Sequence, residues 1–248
     1  MIRGFLLWSL LASAPPVQAQ EAAPPAQEAA AAEEGGLWSR QGSSLVLRDS
    51  SGTVVNEIPL RTSEELMGSG LRMSRTTGNV SENGRFAWTL HKTTVWNLSK
   101  TKALREDRTL RFFGTSGREL WSQPGADAPA QGEPVAMNAT GETVAVSVLG
   151  PGGWKVSVRS FLGTPVWELD GLQNLSSVSL TPEGAYALIR WSETDKSATH
   201  TFVAPATGER KDIPSDEFVL GAARISADGK VFAGLRLLHE FKKAPVKP

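Results

Sequence analysis

Two glycine registers, repeating together, restrict this chain more than any other feature. The first follows an apolar residue and a Ser, Thr or Asn: Val80-Ser81-Glu82-Asn83-Gly84, Met137-Asn138-Ala139-Thr140-Gly141, Leu180-Thr181-Pro182-Glu183-Gly184 and Ile225-Ser226-Ala227-Asp228-Gly229. The second is Gly52, Gly117, Gly163 and Gly208. Seven residues before each lie Leu45, Leu110, Val156 and Thr201, and five before each lie Leu47, Phe112, Val158 and Val203. The steps are 57, 43 and 45 residues in the first register and 65, 46 and 45 in the second. A small polar side chain can bond a turn backbone, and glycine takes the positive φ that tight turns demand. Each glycine therefore predicts a corner between two strands.

The segments between the corners alternate as strands do. Val144, Val146 and Val148 interleave with Ala145 and Ser147, and Val156 and Val158 oppose Lys155, Ser157 and Arg159. The unit from Pro134 to Leu169 reads as one four-stranded antiparallel sheet. A repeat of about 45 residues matches the length of a propeller blade, roughly 40–50 residues. The expected fold is all-β: a small β-propeller of about four four-stranded blades, at about 71–121, 134–169, 175–213, and a composite of 219–240 with 43–60. In that composite the N-terminal strands complete the C-terminal blade and remove two exposed edges. A strand at Leu37–Arg40 would instead allow a fifth, incomplete blade.

Ser226-Ala227-Asp228-Gly229-Lys230-Val231-Phe232-Ala233 and Gly117-Arg118-Glu119-Leu120-Trp121 resemble the repeats of WD-repeat-like and quinoprotein-like β-propellers. The resemblance covers roughly residues 43–238. Trp121 and Trp167 match the docking tryptophan of the quinoprotein-like repeats, whereas Asn56 and Asp212 stand at that position in the other two copies. The Trp-Asp dipeptide of WD repeats is absent, and no set of cofactor ligands carries over.

Residues 1–19 read as a secretory signal, with Arg3 ahead of the apolar run Gly4–Ser13 and cleavage expected after Ala19, or at Ala12-Ser13-Ala14. Residues 20–36 form an Ala/Pro/Glu-rich linker, 37–240 the propeller domain, and 241–248 a flexible basic tail. An exported chain without Cys must rely on its core alone, which points to a bacterial periplasm or the extracellular medium. Equal numbers of basic and acidic residues, 26 each, argue against a nucleic-acid binder, and no segment beyond the signal is long enough to span a membrane.

Chemical motifs are sparse. His91, His200 and His239 do not share metal-ligand spacing, and there is no nucleophile elbow or phosphate-cradling loop. Glu168 and Asp170 share a strand face but read as a solvated edge. No catalytic, cofactor-binding or metal-ligating residue and no cofactor is assigned. The expected role is a non-catalytic binding or scaffold module of the cell envelope with a protein partner. A homodimer is left open, and the alternative is a propeller enzyme binding a small ligand or quinone on the ring axis. Arg61–Gly78 reads as a loop with a short helix starting at Ser63. Leu90–Arg108, about 12 residues longer than its counterparts, reads as a protruding hairpin and the best candidate contact surface.

Overall fold

The computed structural model describes residues 35–68, 70–194, 197–214, 224–225 and 232–233. The expected signal segment, most of the expected linker, the expected basic tail and His239 lie outside these residues. Every described strand pairs antiparallel with its sequence neighbour in the same sheet. The first sheet has β1 (Leu37–Gln41), β2 (Ser44–Arg48) and β3 (Val54–Pro59). The second has five: β4 (Thr62–Met67), β5 (Gly70–Val80), β6 (Ala87–Trp96), β7 (Ala103–Phe113) and β8 (Glu119–Pro124). The third contains β9 (Val135–Met137), β10 (Thr143–Gly150), β11 (Gly153–Ser160) and β12 (Pro165–Leu172). The fourth contains β13 (Asn174–Leu180), β14 (Ala187–Thr194), β15 (Ser197–Ala204) and β16 (Glu209–Pro214). A short pair follows, β17 (Arg224–Ile225) with β18 (Phe232–Ala233).

The corners form as the residue types require. Gly84, Gly141 and Gly184 in one register, and all four glycines of the other, have φ between 71° and 86°. The polar residue at the start of each first-register turn holds the strand beyond it. Ser81 Oγ accepts from the Phe86 N–H at 3.0 Å, Asn138 Oδ1 from the Thr143 N–H at 3.0 Å, and Thr181 Oγ1 from the Tyr186 N–H at 3.2 Å. The positions seven and five residues before the second-register glycines are among the least exposed of the described residues. Leu45, Leu110, Val156, Thr201, Phe112 and Val158 are fully covered, and Leu47 and Val203 nearly so. Each large aliphatic side chain buried in this way contributes roughly 1.5–3 kcal/mol.

The core is a series of seams between consecutive sheets. Trp38, Leu45 and Leu47 of the first sheet meet Ala87 and Phe113 of the second. Phe86, Trp88, Leu90, Leu110 and Phe112 then meet Val135, Val144, Val146 and Phe161 of the third. Ala145, Val156, Val158 and Leu172 meet Leu175, Ala187, Ile189 and Val203 of the fourth. Sequential antiparallel meanders packed face on face, each touching the next, make the fold propeller-like.

Two expectations are corrected. Arg61–Gly78 contains no helix: Thr62–Met67 pairs with Gly70–Arg75 as a β-hairpin. Glu64, Glu65 and Leu66 favour helix locally, but pairing against β5 decides the outcome, and β4 shows no apolar alternation because all of it is exposed. The composite of 219–240 with 43–60 also differs. The strand at Leu37–Arg40 forms as β1, and Leu45 is paired with Arg40 on one side and Ile58 on the other. Both edges of β2 are thus taken. The C-terminal strands pair with each other, Val231 lies outside the described residues, and no described pairing joins the first and last sheets.

Candidate binding surfaces

The turns that define the repeat also bind the sheets together. Trp121 lies over the Gly163 corner of the next sheet. Its Nε1–H donates to the Phe161 carbonyl at 2.8 Å, and its ring stacks on Phe112 with centroids 4.9 Å apart. A Cβ at Gly163 would fall 2.7 Å from that indole. Asn56 occupies the same position one sheet earlier and donates from Nδ2 to the Gly117 carbonyl at 2.9 Å. Trp38 adds a second link, donating from Nε1 to the Gly114 carbonyl at 2.9 Å. Trp38 and Trp191 are also packing residues; the Trp191 Nε1–H donates to Thr201 Oγ1 at 3.0 Å. Trp167 packs in the seam between the third and fourth sheets, while no atom approaches a Cβ position at Gly208 within 4 Å.

The hairpin expected over Leu90–Arg108 is present and is larger than expected. β6 and β7 run 10 and 11 residues, against eight for both β10 and β11. β4 and the start of β5 lengthen the same end of the sheet. Four apolar side chains are exposed in the two hairpins at this end: Leu66, Leu98, Leu104 and Met67, the first three more than half exposed. Leu66 sits beside Leu71, and Leu71 beside Trp96, on one face. Leu104 is the extra residue of a bulge between Val95 and Trp96, a feature that re-aims a side chain. Asn97 fixes the turn by accepting on Oδ1 from the Thr101 and Lys102 N–H groups at 2.9 and 3.1 Å. Ion pairs surround the apolar tip: Lys100 with Glu64, Arg72 with Glu65, and Arg105 with Asp107. Below it, Lys92, Glu106, Arg108 and Asp127 form a chain of ion pairs that ties the extension to the segment leading into the third sheet. These cations hold the Glu106 carboxyl below the usual range against the opposing effect of its burial.

A cavity of about 480 Å³ opens where the first and second sheets meet the segment entering the third. Arg40 and Leu60 form one wall, Arg61, Thr62, Arg75 and Trp88 another, and Ala128, Gly132, Glu133 and Pro134 of the connecting segment the third. That third wall is pinned to the fourth sheet, where the Ala130 and Gln131 N–H groups donate to the Leu175 and Ser176 carbonyls at 3.2 and 2.7 Å. Sequence reading had no signal for this cavity, since its residues hold no common place in the repeat.

His91 bonds Thr76 Oγ1 through Nδ1 at 3.0 Å and Thr93 Oγ1 through Nε2 at 3.1 Å. His200 is buried on β15, where burial, followed by the charge of Arg190, lowers its pKa. Glu168 receives Lys155 Nζ at 2.7 Å and Ser157 Oγ at 3.0 Å, which holds its pKa down; Asp170 faces the same lysine at 3.8 Å. Among the described residues no three His, Cys, Asp or Glu side chains gather as metal ligands, and no helix is long and apolar enough to cross a membrane.

No protein-family model and no curated protein matches the chain. Solved structures similar to it include the β-propeller domain of the trilobed protease from Pyrococcus furiosus (TM-score 0.41, 10% identity, 60% of this chain and 44% of that one). The Cps50 (Swd1) β-propeller domain of Myceliophteria thermophila gives a TM-score of 0.33 at 13% identity, over 81% of this chain and 76% of that one. TolB from Acinetobacter baumannii gives 0.32 at 14%, over 72% and 51%. The chain thus spans less than half of the Pyrococcus structure and about half of TolB. The fold stands on the strand pairing and seams described above.

Proposed function

We propose that this chain is an exported, non-catalytic binding module of the bacterial envelope, whose protein partner docks on the tip of the five-stranded sheet. The observation that carries the reading is that Leu66, Met67, Leu98 and Leu104 are all exposed at the lengthened end of the second sheet. Leucines held in the open on an ordered turn gain nothing within the folded chain. An apolar centre rimmed by charged pairs has the composition of a protein interface.

A photo-crosslinking residue at Leu98, in the full chain expressed with its N-terminus intact, tests the docking. The expected result is one adduct of defined mass, lost in the Leu66→Ser/Leu104→Ser variant. Equal adducts from a crosslinker at Val166, an exposed apolar residue on β12, would mean that the tip has no special role. Deleting Ser99–Arg108 is a poorer test, since it removes part of β7. Export is read separately by N-terminal sequencing of protein from the periplasmic fraction or medium. A chain beginning at Gln20 is expected, and recovery only of the uncleaved chain from the cytoplasm would refute export.

A further inference from the structure

We propose that the cavity between the first two sheets and the 128–134 segment binds a small ligand through an oxyanion, a carboxylate or phosphate. The observation is a concentration of unused donors. Arg40, Arg61 and Arg75 all line the cavity, and the only carboxylate among its lining residues is Glu133. That carboxylate is already approached by Asn79 Nδ2 at 3.4 Å on both oxygens. Arg40, Arg61 and Arg75 make no side-chain ion pair or hydrogen bond with a described residue, although 11 ion pairs form among the other described residues.

The second observation is independent of charge. Trp88 also lines the cavity. It is 2% exposed, and its indole Nε1 is buried with no hydrogen-bond partner. Trp38, Trp121 and Trp191 place their indole N–H on an oxygen, and among the described residues the buried indole N–H left without a partner is the one beside the cavity. A buried donor without a partner is costly in a fold that satisfies its equivalents, and an acceptor supplied from outside relieves the cost. Guanidinium groups present paired N–H donors that match carboxylate and phosphate oxygens. The volume is that of a small-molecule site, since such pockets run from roughly 300 to 1,000 Å³. Thr62 and Thr77 in the lining offer hydroxyls for the rest of the ligand.

Isothermal titration of the full chain with sodium phosphate and with disodium succinate, at ionic strength held constant with NaCl, tests this. At least one of the two is expected to bind saturably at 1:1, and the tighter one identifies the head group. Arg61→Gln and Arg75→Gln should each weaken binding about tenfold, as loss of a charge-assisted hydrogen bond implies. Trp88→Phe keeps a ring in the core and removes only the N–H, and should weaken binding several-fold. Arg118→Gln, in the exposed turn before β8 and outside the cavity lining, should change nothing. Thermal melts check that each variant folds, and Arg75→Lys, which keeps the charge, should retain part of the affinity. Absence of saturable heat for both anions up to 10 mM overturns the proposal. So does binding that is indifferent to Arg61 and Arg75. Neither result bears on the partner at the tip, which is read by crosslinking.

Discussion

Replacing single glycines by alanine separates two costs that the repeat normally hides. Gly163 and Gly208 occupy equivalent corners with φ of 86° and 72°. Alanine at either pays for a left-handed backbone, roughly 1–2 kcal/mol. Only at Gly163 does the new methyl also meet a neighbouring sheet, because Trp121 Cγ and Cδ1 stand 2.7 Å from the Cβ position. Carbon atoms prefer about 3.5–4.0 Å, so the indole must retreat. Retreat breaks its hydrogen bond to the Phe161 carbonyl at 2.8 Å, worth roughly 0.5–1.5 kcal/mol. It also disturbs the stack on Phe112, worth a further 0.5–1.5 kcal/mol or so. Gly208→Ala should therefore cost roughly 1–2 kcal/mol and Gly163→Ala roughly 1–3 kcal/mol more. Urea midpoints at unchanged slope measure both. In a Trp121→Ala background the excess at Gly163 should vanish, since the clash and the bond are already gone. Equal costs for the two glycines in the wild-type chain, or an excess that survives removal of Trp121, would refute the idea that these corners are docking points between sheets.

Asn56→Ala should destabilise by about 1 kcal/mol, the usual net worth of one hydrogen bond, whereas Asn56→Asp should cost more because it sets a carboxylate against the Gly117 carbonyl; chemical denaturation reads both. Stability should fall as pH drops below about 6.5, the ordinary histidine value. Burial lowers the folded-state pKa of His200, so below that pH the unfolded chain takes up the extra proton. Melting temperatures at pH 7.5 and 5.5 should differ less in His200→Gln than in the wild type. The carboxyls of Glu106, Glu168 and Asp212, whose folded pKa values are lowered, contribute stability that is lost only in more acid solution, so the two effects separate. A four-residue Gly/Ser insertion after Gly152, whose Cβ position has no neighbour within 4 Å, should leave the melting temperature within a few degrees. The same insertion after Gly141, 2.5 Å from Phe86 on that measure, should prevent cooperative unfolding.

The glycine corners were legible because a positive φ is a backbone demand that few residues other than glycine meet. The buried positions were legible because they stand at fixed distances from those corners. Leu45, Val156 and Phe112 are covered for the same geometric reason in three different sheets. The hairpin of β4 with β5 was not legible. An exposed strand needs no apolar alternation, and Glu64-Glu65-Leu66-Met67 carries none. Asn56 was read as a departure from the docking tryptophan, yet it meets the next corner by hydrogen bond where Trp121 meets it by stacking and hydrogen bond together. The cavity was illegible for a different reason. Arg40, Arg75, Trp88 and Glu133 come from two sheets and a connecting segment, and only the way consecutive sheets pack brings them together.

The arrangement also explains why one end of the molecule can change while the other cannot. In each meander the glycine corners lie at the same end, and that end is where sheets interlock. A side chain at Gly84 would meet the Trp38 carbonyl, at Gly117 Leu47, at Gly141 Phe86, at Gly163 Trp121 and at Gly184 Thr143, each residue belonging to the preceding sheet. The hairpins joining second to third strands turn at the opposite end, and the one in the third sheet passes through Gly152 without approaching a neighbour. Lengthening is therefore nearly free there and prohibitive at the five corners that meet the preceding sheet. The second sheet has lengthened at that free end twice, once through β6 and β7 and once through β4 and β5. Both additions carry leucines out to a common tip, anchored by the ion-pair chain from Lys92 to Asp127. A surface gained where the repeat imposes no packing constraint, and then held in one conformation, can evolve toward a partner without loosening the seams that keep the sheets together.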